Sequence, residues 1–408
     1  MSASERQRPR TARQFKDWFW KPPRAHGDVV RDRSVSFLEL LYDLVYVAVV
    51  ARAAHPLAEG VSVERFIEFA VVFALIWIAW VNGTLYLELH GREDGRTRLF
   101  VFVQMGILAL LAVFTGIAGE EVGGARFAIV YVAFLGTLIW LWNSVRRLDT
   151  PEVARVTGKY VIGLVASAGL IAASAFLPAN LRVVAWAAFS VFWLLAMLAL
   201  GWRSRSFSIG VTPTHSMVER FGLFIIIVLG EVVFGVVEGL SHADQDLVTI
   251  GTGTLALGIG LGLWWVYFDL GGRREPRAEG RAIASWILTH LPITMAIAAA
   301  GAAMVSLIEH AHDPVTPQAT AILLCASVAA GLVAQVAQAW SLEDSHRLAS
   351  AYRPLGVAMG AAALIVLAVA WLPIPPWVLA LVIGLVLSVL WFFAVARFIR
   401  AGGWPPPS

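Results

Sequence analysis

The chain has one cysteine, Cys325, among its 408 residues. A single thiol builds neither an internal disulfide nor a cysteine-rich metal site. Cys325 sits in an apolar run and reads as a small buried side chain. Charge is scarce as well: Asp, Glu, Lys and Arg together make up 14% of the residues, where a soluble domain carries about 25%. So few charged groups cannot cover a surface, and lipid must solvate much of the fold. Several chemistries lack their signatures. No GxSxG elbow occurs, no aspartate-rich DxxxD pair marks a prenyl-diphosphate site, and no arginine-studded span resembles a voltage sensor. The glycines at 251, 253, 258, 260 and 262 lie in a wholly apolar segment without the lysine of a phosphate-binding loop. Lys159 is near a helix end, which is unsuited to a retinal Schiff base. His310 and His312 lie in a loop, and their spacing alone is a weak metal signature. No cofactor and no metal ligand set is expected, and a cleavable signal peptide is not expected either, because the first apolar stretch is too long and too acidic.

What is present is apolar surface: 59% hydrophobic residues and 17 tryptophans, a residue that favours the membrane interface. A spanning helix needs about 20 mostly apolar residues. Candidate spans run near 36–57, 63–88, 98–118, 126–144, 156–177 and 181–201, then 217–239, 247–269, 282–307, 318–340, 354–372 and 376–398. The expected fold is therefore an all-α polytopic membrane bundle of about twelve helices. It divides into a basic and aromatic N-terminal tail (1–35), a first six-helix unit (36–201), a linker (202–216), a second six-helix unit (217–400) and a short C-terminal tail (401–408). Phe15, Trp18, Phe19 and Trp20 stand among basic residues and read as an interfacial anchor rather than a nucleic-acid-binding arm. Lys and Arg crowd alternate loops, which puts both termini on the cytoplasmic side of the inner membrane.

The two halves resemble each other. LYLELHGR at 85–92 and VYFDLGGR at 266–273 align at an offset of 181 and superpose Tyr86 on Tyr267, Glu88 on Asp269 and Arg92 on Arg273. Glu39 falls over Glu219 at nearly the same offset. Six spans per half return the chain to its starting side, so a duplication yields two parallel repeats, the arrangement of some secondary transporters. Glu88, Asp269, Arg92 and Arg273 read as ion pairs anchoring loops. The glycines of span eight are expected to admit a neighbouring backbone.

Ionisable groups inside spans cost roughly 2.5–3.5 kcal/mol each on insertion scales and are therefore informative. In span one, Glu39, Asp43, Tyr46 and Val50 share a helical face. In span seven, Glu231 lies near the middle, after Gly230, while Glu219 and Arg220 open the helix. His290 lies inside span nine, followed by Pro292. Glu39, Asp43, Glu231 and His290 are candidates for a proton-carrying polar track; Arg220 and Glu219 are candidate charge partners or anion-binding groups. The alternative for each is a satisfied core group. Asn82, Gln104 and Gln335 read as interhelical glue.

RDRSVSFLELLYDLVYVAVVARAAH, then SMVERFGLFIIIVLGEVV, then WVYFDLGGR and THLPITMAIAAAG resemble, in order, the blocks of the bacterial low temperature requirement A family. The resemblance runs from about residue 30 to 400. It implies an integral membrane protein linked to growth in the cold, without a settled substrate, and points to Glu39, Asp43, Glu219, Arg220, Gly222, Gly230 and Glu231, the two glycines as close-packing positions. The leading functional expectation is a proton-coupled secondary transporter or channel-like protein for an unknown small solute. Its rivals are an intramembrane enzyme acting on a lipid or isoprenoid, with Glu231 and His290 as acid and base, and a non-catalytic scaffold or sensor. The lipid bilayer is the expected partner, with no nucleic acid; the oligomeric state is open.

Overall fold

The computed structural model describes residues 19, 22–24, 35–92, 94–203 and 213–405. Most of the N-terminal tail, including Phe15, Trp18 and Trp20, and most of the linker lie outside the described residues. Twelve long helices follow one another: α1 Phe37–Ala58, α2 Val63–His90, α3 Gly95–Thr115, α4 Glu121–Arg146, α5 Pro151–Ser174, α6 Ala179–Arg203, α7 His215–His242, α8 Leu247–Tyr267, α9 Gly280–Glu309, α10 Gln318–Ala339, α11 Ala349–Val369 and α12 Pro376–Arg400. The fold is all-α, and it is a multi-pass membrane bundle. Eleven of the helices are long and apolar enough to cross a membrane; α1, which carries Glu39, Asp43 and Arg52, is the one left over.

The starts follow local chemistry. Ser36, Ser62, Asp94, Thr214 and Asp246 each accept a backbone N–H of the first turn of α1, α2, α3, α7 and α8, which satisfies donors the helix itself cannot. Pro151 and Pro376 open α5 and α12, where the missing N–H costs nothing. One irregularity has no counterpart in the sequence reading: α8 ends in a π turn, Phe268–Gly272.

α2 and α9 form the centre. Their most apolar stretches are 78% and 83% buried, against 28% in α3, α5, α6 and α11; the outer helices keep an apolar flank free for lipid. Within the first six helices, α1 packs on α2 and α3, α3 on α4, α4 on α5, and α6 on α2 and α5. Within the last six, α7 packs on α8 and α9, α9 on α10, α10 on α11, and α12 on α8 and α11. The two sets meet where α9 lies against α1, α2 and α6, and where α1 lies against α7.

The tightest crossing is α7 on α9, not one involving α8. A Cβ on Gly235 would come within 2.2 Å of the Gly301 carbonyl oxygen, and one on Gly301 within 2.7 Å of the Glu231 backbone. Here two backbones touch, which is what small residues permit. In α8 the expectation needs correction. Gly253, Gly260 and Gly262 meet only side chains, of Leu240, Val232 and Leu387, while Gly251 and Gly258 have nothing within 4 Å. Gly230 likewise has nothing within 4 Å, so close packing is not its role; Gly222 does fit closely, against the Phe268 ring.

Candidate functional site

The α1 face read from the sequence is buried as a unit: Glu39, Asp43, Tyr46 and Val50 are each at most 2% exposed. What it buries against is Arg220, which is fully buried. Arg220 Nη2 donates to Asp43 Oδ1 at 3.1 Å, and Nη1 lies 3.7 Å from Glu39 Oε1. Asp43 Oδ1 also accepts from Trp80 Nε1 at 2.9 Å. Two carboxylates thus share one guanidinium, and Asp43 Oδ2 and Arg220 Nε have no hydrogen-bond partner among the described residues. Glu39 is further held by the backbone N–H and hydroxyl of Ser36 at the start of its own helix. Tyr42 and Tyr46 continue the polar face one turn onward, with hydroxyls 3.2 Å apart.

Glu219, next to Arg220, points elsewhere. It is exposed and accepts the backbone N–H of Val35, so it is no charge partner within this cluster. Successive helical residues are about 100° apart around the axis, and one of the two must face away.

His290 belongs to a second cluster. Its Nδ1 lies 2.7 Å from the Trp286 carbonyl oxygen, an acceptor, so that nitrogen carries the proton. Nε2 then accepts, from the Tyr267 hydroxyl at 2.9 Å and from Gln338 Nε2 at 3.0 Å. Both ring nitrogens are committed, which suits a packed core hub better than a relay. An aromatic block joins the two clusters: Trp80 stacks on Phe224 and abuts Phe221, which abuts His290.

Glu231 stands apart from both. It lies eleven residues beyond Arg220 on α7, about 16 Å along the helix at 1.5 Å per residue. It lines a pocket of about 170 Å³ shared with Arg52, His55 and Glu238 and closed on one side by Gly301. Its Oε1 is buried without a hydrogen-bond partner among the described residues. At the rim, His55 lies 3.8 Å from Glu238 and 3.3 Å from Glu59. A second pocket, of about 160 Å³, opens at the other end of α1 and reaches Glu39 past Arg92 and Arg98. Between the pockets the α1–α7 seam is filled by Tyr42, Tyr46, Phe224, Val50 and Val228, all buried.

The sequence singled out Glu39 and Asp43 as track candidates and Arg220 as a candidate charge partner, and the fold brings these three together. It does not bring Glu231 or His290 to the same cavity, and among the described residues no contact joins those two to each other as an acid–base pair. Trp80, Tyr42 and Gln338 went unnoticed because aromatic and amide residues in apolar helices carry no charge signal; Tyr267 was read only as the repeat counterpart of Tyr86. Arg182 also went unnoticed. It is 1% exposed and ties the carbonyls of Ser174, Leu177, Glu120 and Glu121 together at the opposite end. The repeated motif anchors the bundle, by hydrogen bonds: Glu88 accepts from Thr214 and Ser216, and Asp269 from Trp391.

These intramembrane charges, in this order, fit one family. Residues 34–393 match the model of the bacterial low temperature requirement A protein, LtrA. The chain belongs to the LtrA family. An uncharacterized protein of Rhizobium meliloti (strain 1021) is 26% identical over 278 residues, which cover 63% of this chain and 66% of that protein. The LtrA match spans α1 to most of α12, and so includes both pockets and both buried clusters.

Proposed function

We propose that this LtrA protein is a proton-coupled carrier whose path runs along the α1–α7 seam. The observation that carries the reading is the pair of pockets at opposite ends of that seam, one ending on Glu39 and the other on Glu231. A buried carboxylate with an unpartnered oxygen, on a residue that lines a pocket, is a group poised to take a proton or a cationic solute. The dry stretch between the pockets argues for a carrier that alternates between ends, not for an open channel. Arg220, hydrogen-bonded to Asp43 and 3.7 Å from Glu39, is the part of the barrier that must rearrange for the ends to alternate.

The reading includes a topology and a duplication. The arginine-rich end, bearing the starts of α1 and α7, is cytoplasmic in the inner membrane, by the bias of Lys and Arg. Residues 36–201 and 217–400 are tandem parallel repeats. In support, several packing pairs within the first six helices have counterparts within the last six: α1–α3 with α7–α9, α2–α6 with α8–α12, α4–α5 with α10–α11. The seam is then formed by the two equivalent first helices, α1 and α7, at a repeat interface.

The test is flux. Proteoliposomes loaded with a pH-sensitive dye and given an inward proton gradient, with and without a broad solute panel, should acidify faster than empty vesicles. Glu231→Gln should remove the difference. Acidification equal to empty vesicles for the wild type under every solute would sink the proposal.

A further inference from the structure

A further cavity lies away from the α1–α7 seam. It measures about 270 Å³ and sits at the arginine-rich end, between the end of α10, the start of α11 and the π turn after α8. Its rim is built from two loops held in register. Pro276 and Leu342 form an isolated antiparallel bridge, Arg277 N–H donates to the Ser341 carbonyl, and Glu343 N–H donates to that of Glu275. This stitching presents the Arg277 side chain, which donates to the Ser345 hydroxyl at 3.1 Å. Arg353 enters from α11, and His346 lines the cavity beside it.

The nearby acid is already neutralised. Asp344 is paired with Arg274 and accepts from the Tyr352 hydroxyl. Among the described residues no carboxylate lies within ion-pair distance of Arg277 or Arg353. Two arginines thus line one cavity without an ion-pair partner among the described residues. The rest of the wall mixes apolar side chains, Val336, Leu355 and Met359, with the polar Gln335, Gln338 and Tyr352, and Trp340 among the lining residues is 75% exposed. An exposed tryptophan at a helix end marks headgroup depth in a bilayer. The π turn supplies Leu270 and Gly271 to the wall, and such turns recur at functional sites.

We propose that this cavity binds the anionic headgroup of an amphiphile. A phosphate or carboxylate would lie between Arg277 and Arg353, and the first carbons of its tail along Val336, Leu355 and Met359. Guanidinium groups suit such oxyanions because their fork of N–H donors matches them. The inference is independent of the transport reading, because it uses none of the seam residues.

Native mass spectrometry of the full chain, released from nanodiscs, tests it. Phosphatidylglycerol adducts should persist on the wild type, phosphatidylcholine adducts should not, and Arg277→Gln with Arg353→Gln should weaken retention roughly tenfold to a hundredfold. Arg347→Gln, exposed and outside the cavity, should behave as the wild type. Arg353 is itself exposed, so Arg353→Gln alone gives a folded comparison if the double variant does not survive purification. Inorganic phosphate alone, if it displaces the lipid from the wild type, supports the same site and makes a soluble anion its source. Equal retention of phosphatidylcholine, or unchanged retention by the double and single variants, would overturn the proposal.

Discussion

Two acidic sites lie on the same helix pair and are built in opposite ways. Asp43 is enclosed by Arg220 and Trp80, with the second carboxylate, Glu39, on the same guanidinium. Glu231 has an oxygen without a partner and a pocket in front of it. A charge held in a network can be removed only at the cost of its neighbours. A charge without a partner can be neutralised with little structural consequence. The first arrangement is therefore a lock that holds α1 to α7, and the second is the more accessible group for chemistry. Burial alone would not separate them, since Asp43 is 1% and Glu231 6% exposed.

The comparison breaks most sharply at Arg220. Arg220→Met leaves Glu39 and Asp43 buried without their cation and should destabilise the bundle by about 3–5 kcal/mol, read by chemical unfolding in detergent micelles. Unfolding indistinguishable from the wild type would mean that the cluster is not a lock. Next is the α7–α9 crossing beneath Glu231. Gly301→Ala forces a methyl onto the Glu231 backbone and should cost about 1–3 kcal/mol; Gly258→Ala, with open space around it, should cost nothing in the same assay. Trp80→Phe removes one hydrogen bond to Asp43 and keeps the ring, so a loss of about 1 kcal/mol is expected. Glu231→Gln should change stability by less than about 1 kcal/mol, because an unpartnered acid loses little on becoming a neutral amide. Its effect should appear in vesicle acidification instead, and a strong loss of stability would contradict the contrast drawn between the two acids.

The smallest effect is expected far from both. Asp246 caps α8 by accepting the Thr249 N–H, which holds its carboxyl below the usual carboxylate range. A group ionising more readily in the folded than the unfolded state stabilises above its unfolded pKa, about 3.9, and loses that contribution as pH falls through the folded value. Asp246→Asn should therefore flatten the acid limb of the stability curve and leave neutral pH nearly untouched.

Legibility differed by kind of residue. Charged residues in apolar helices were legible because lipid makes them expensive, and Glu39, Asp43 and Arg220 were identified on that ground. Their partner Trp80 was not, because an indole is as apolar as its neighbours until a carboxylate is placed beside its nitrogen. Gly230 was singled out beside Glu231, yet the glycines that matter are Gly235 and Gly301. Glycine spacing within one helix says nothing of which helix crosses there. Glu219 was grouped with Arg220 as a candidate charge partner or anion-binding group, and a helix sends adjacent side chains in different directions.

By itself, the sequence determined the all-α class with about twelve helices, their membrane setting, the family and which helices carry ionisable groups. Those depend on local hydropathy and on a rise of 1.5 Å per residue, both properties of a single segment. Only the tertiary structure decided which charges meet. The association of α1 with α7, the central place of α2 and α9, the separation of Glu231 from Asp43 and the cationic cavity beside α10 all depend on contacts between segments far apart in the chain. In lipid those contacts are chosen by close packing and by the need to satisfy buried polar groups, because hydrophobicity no longer distinguishes one helix face from another.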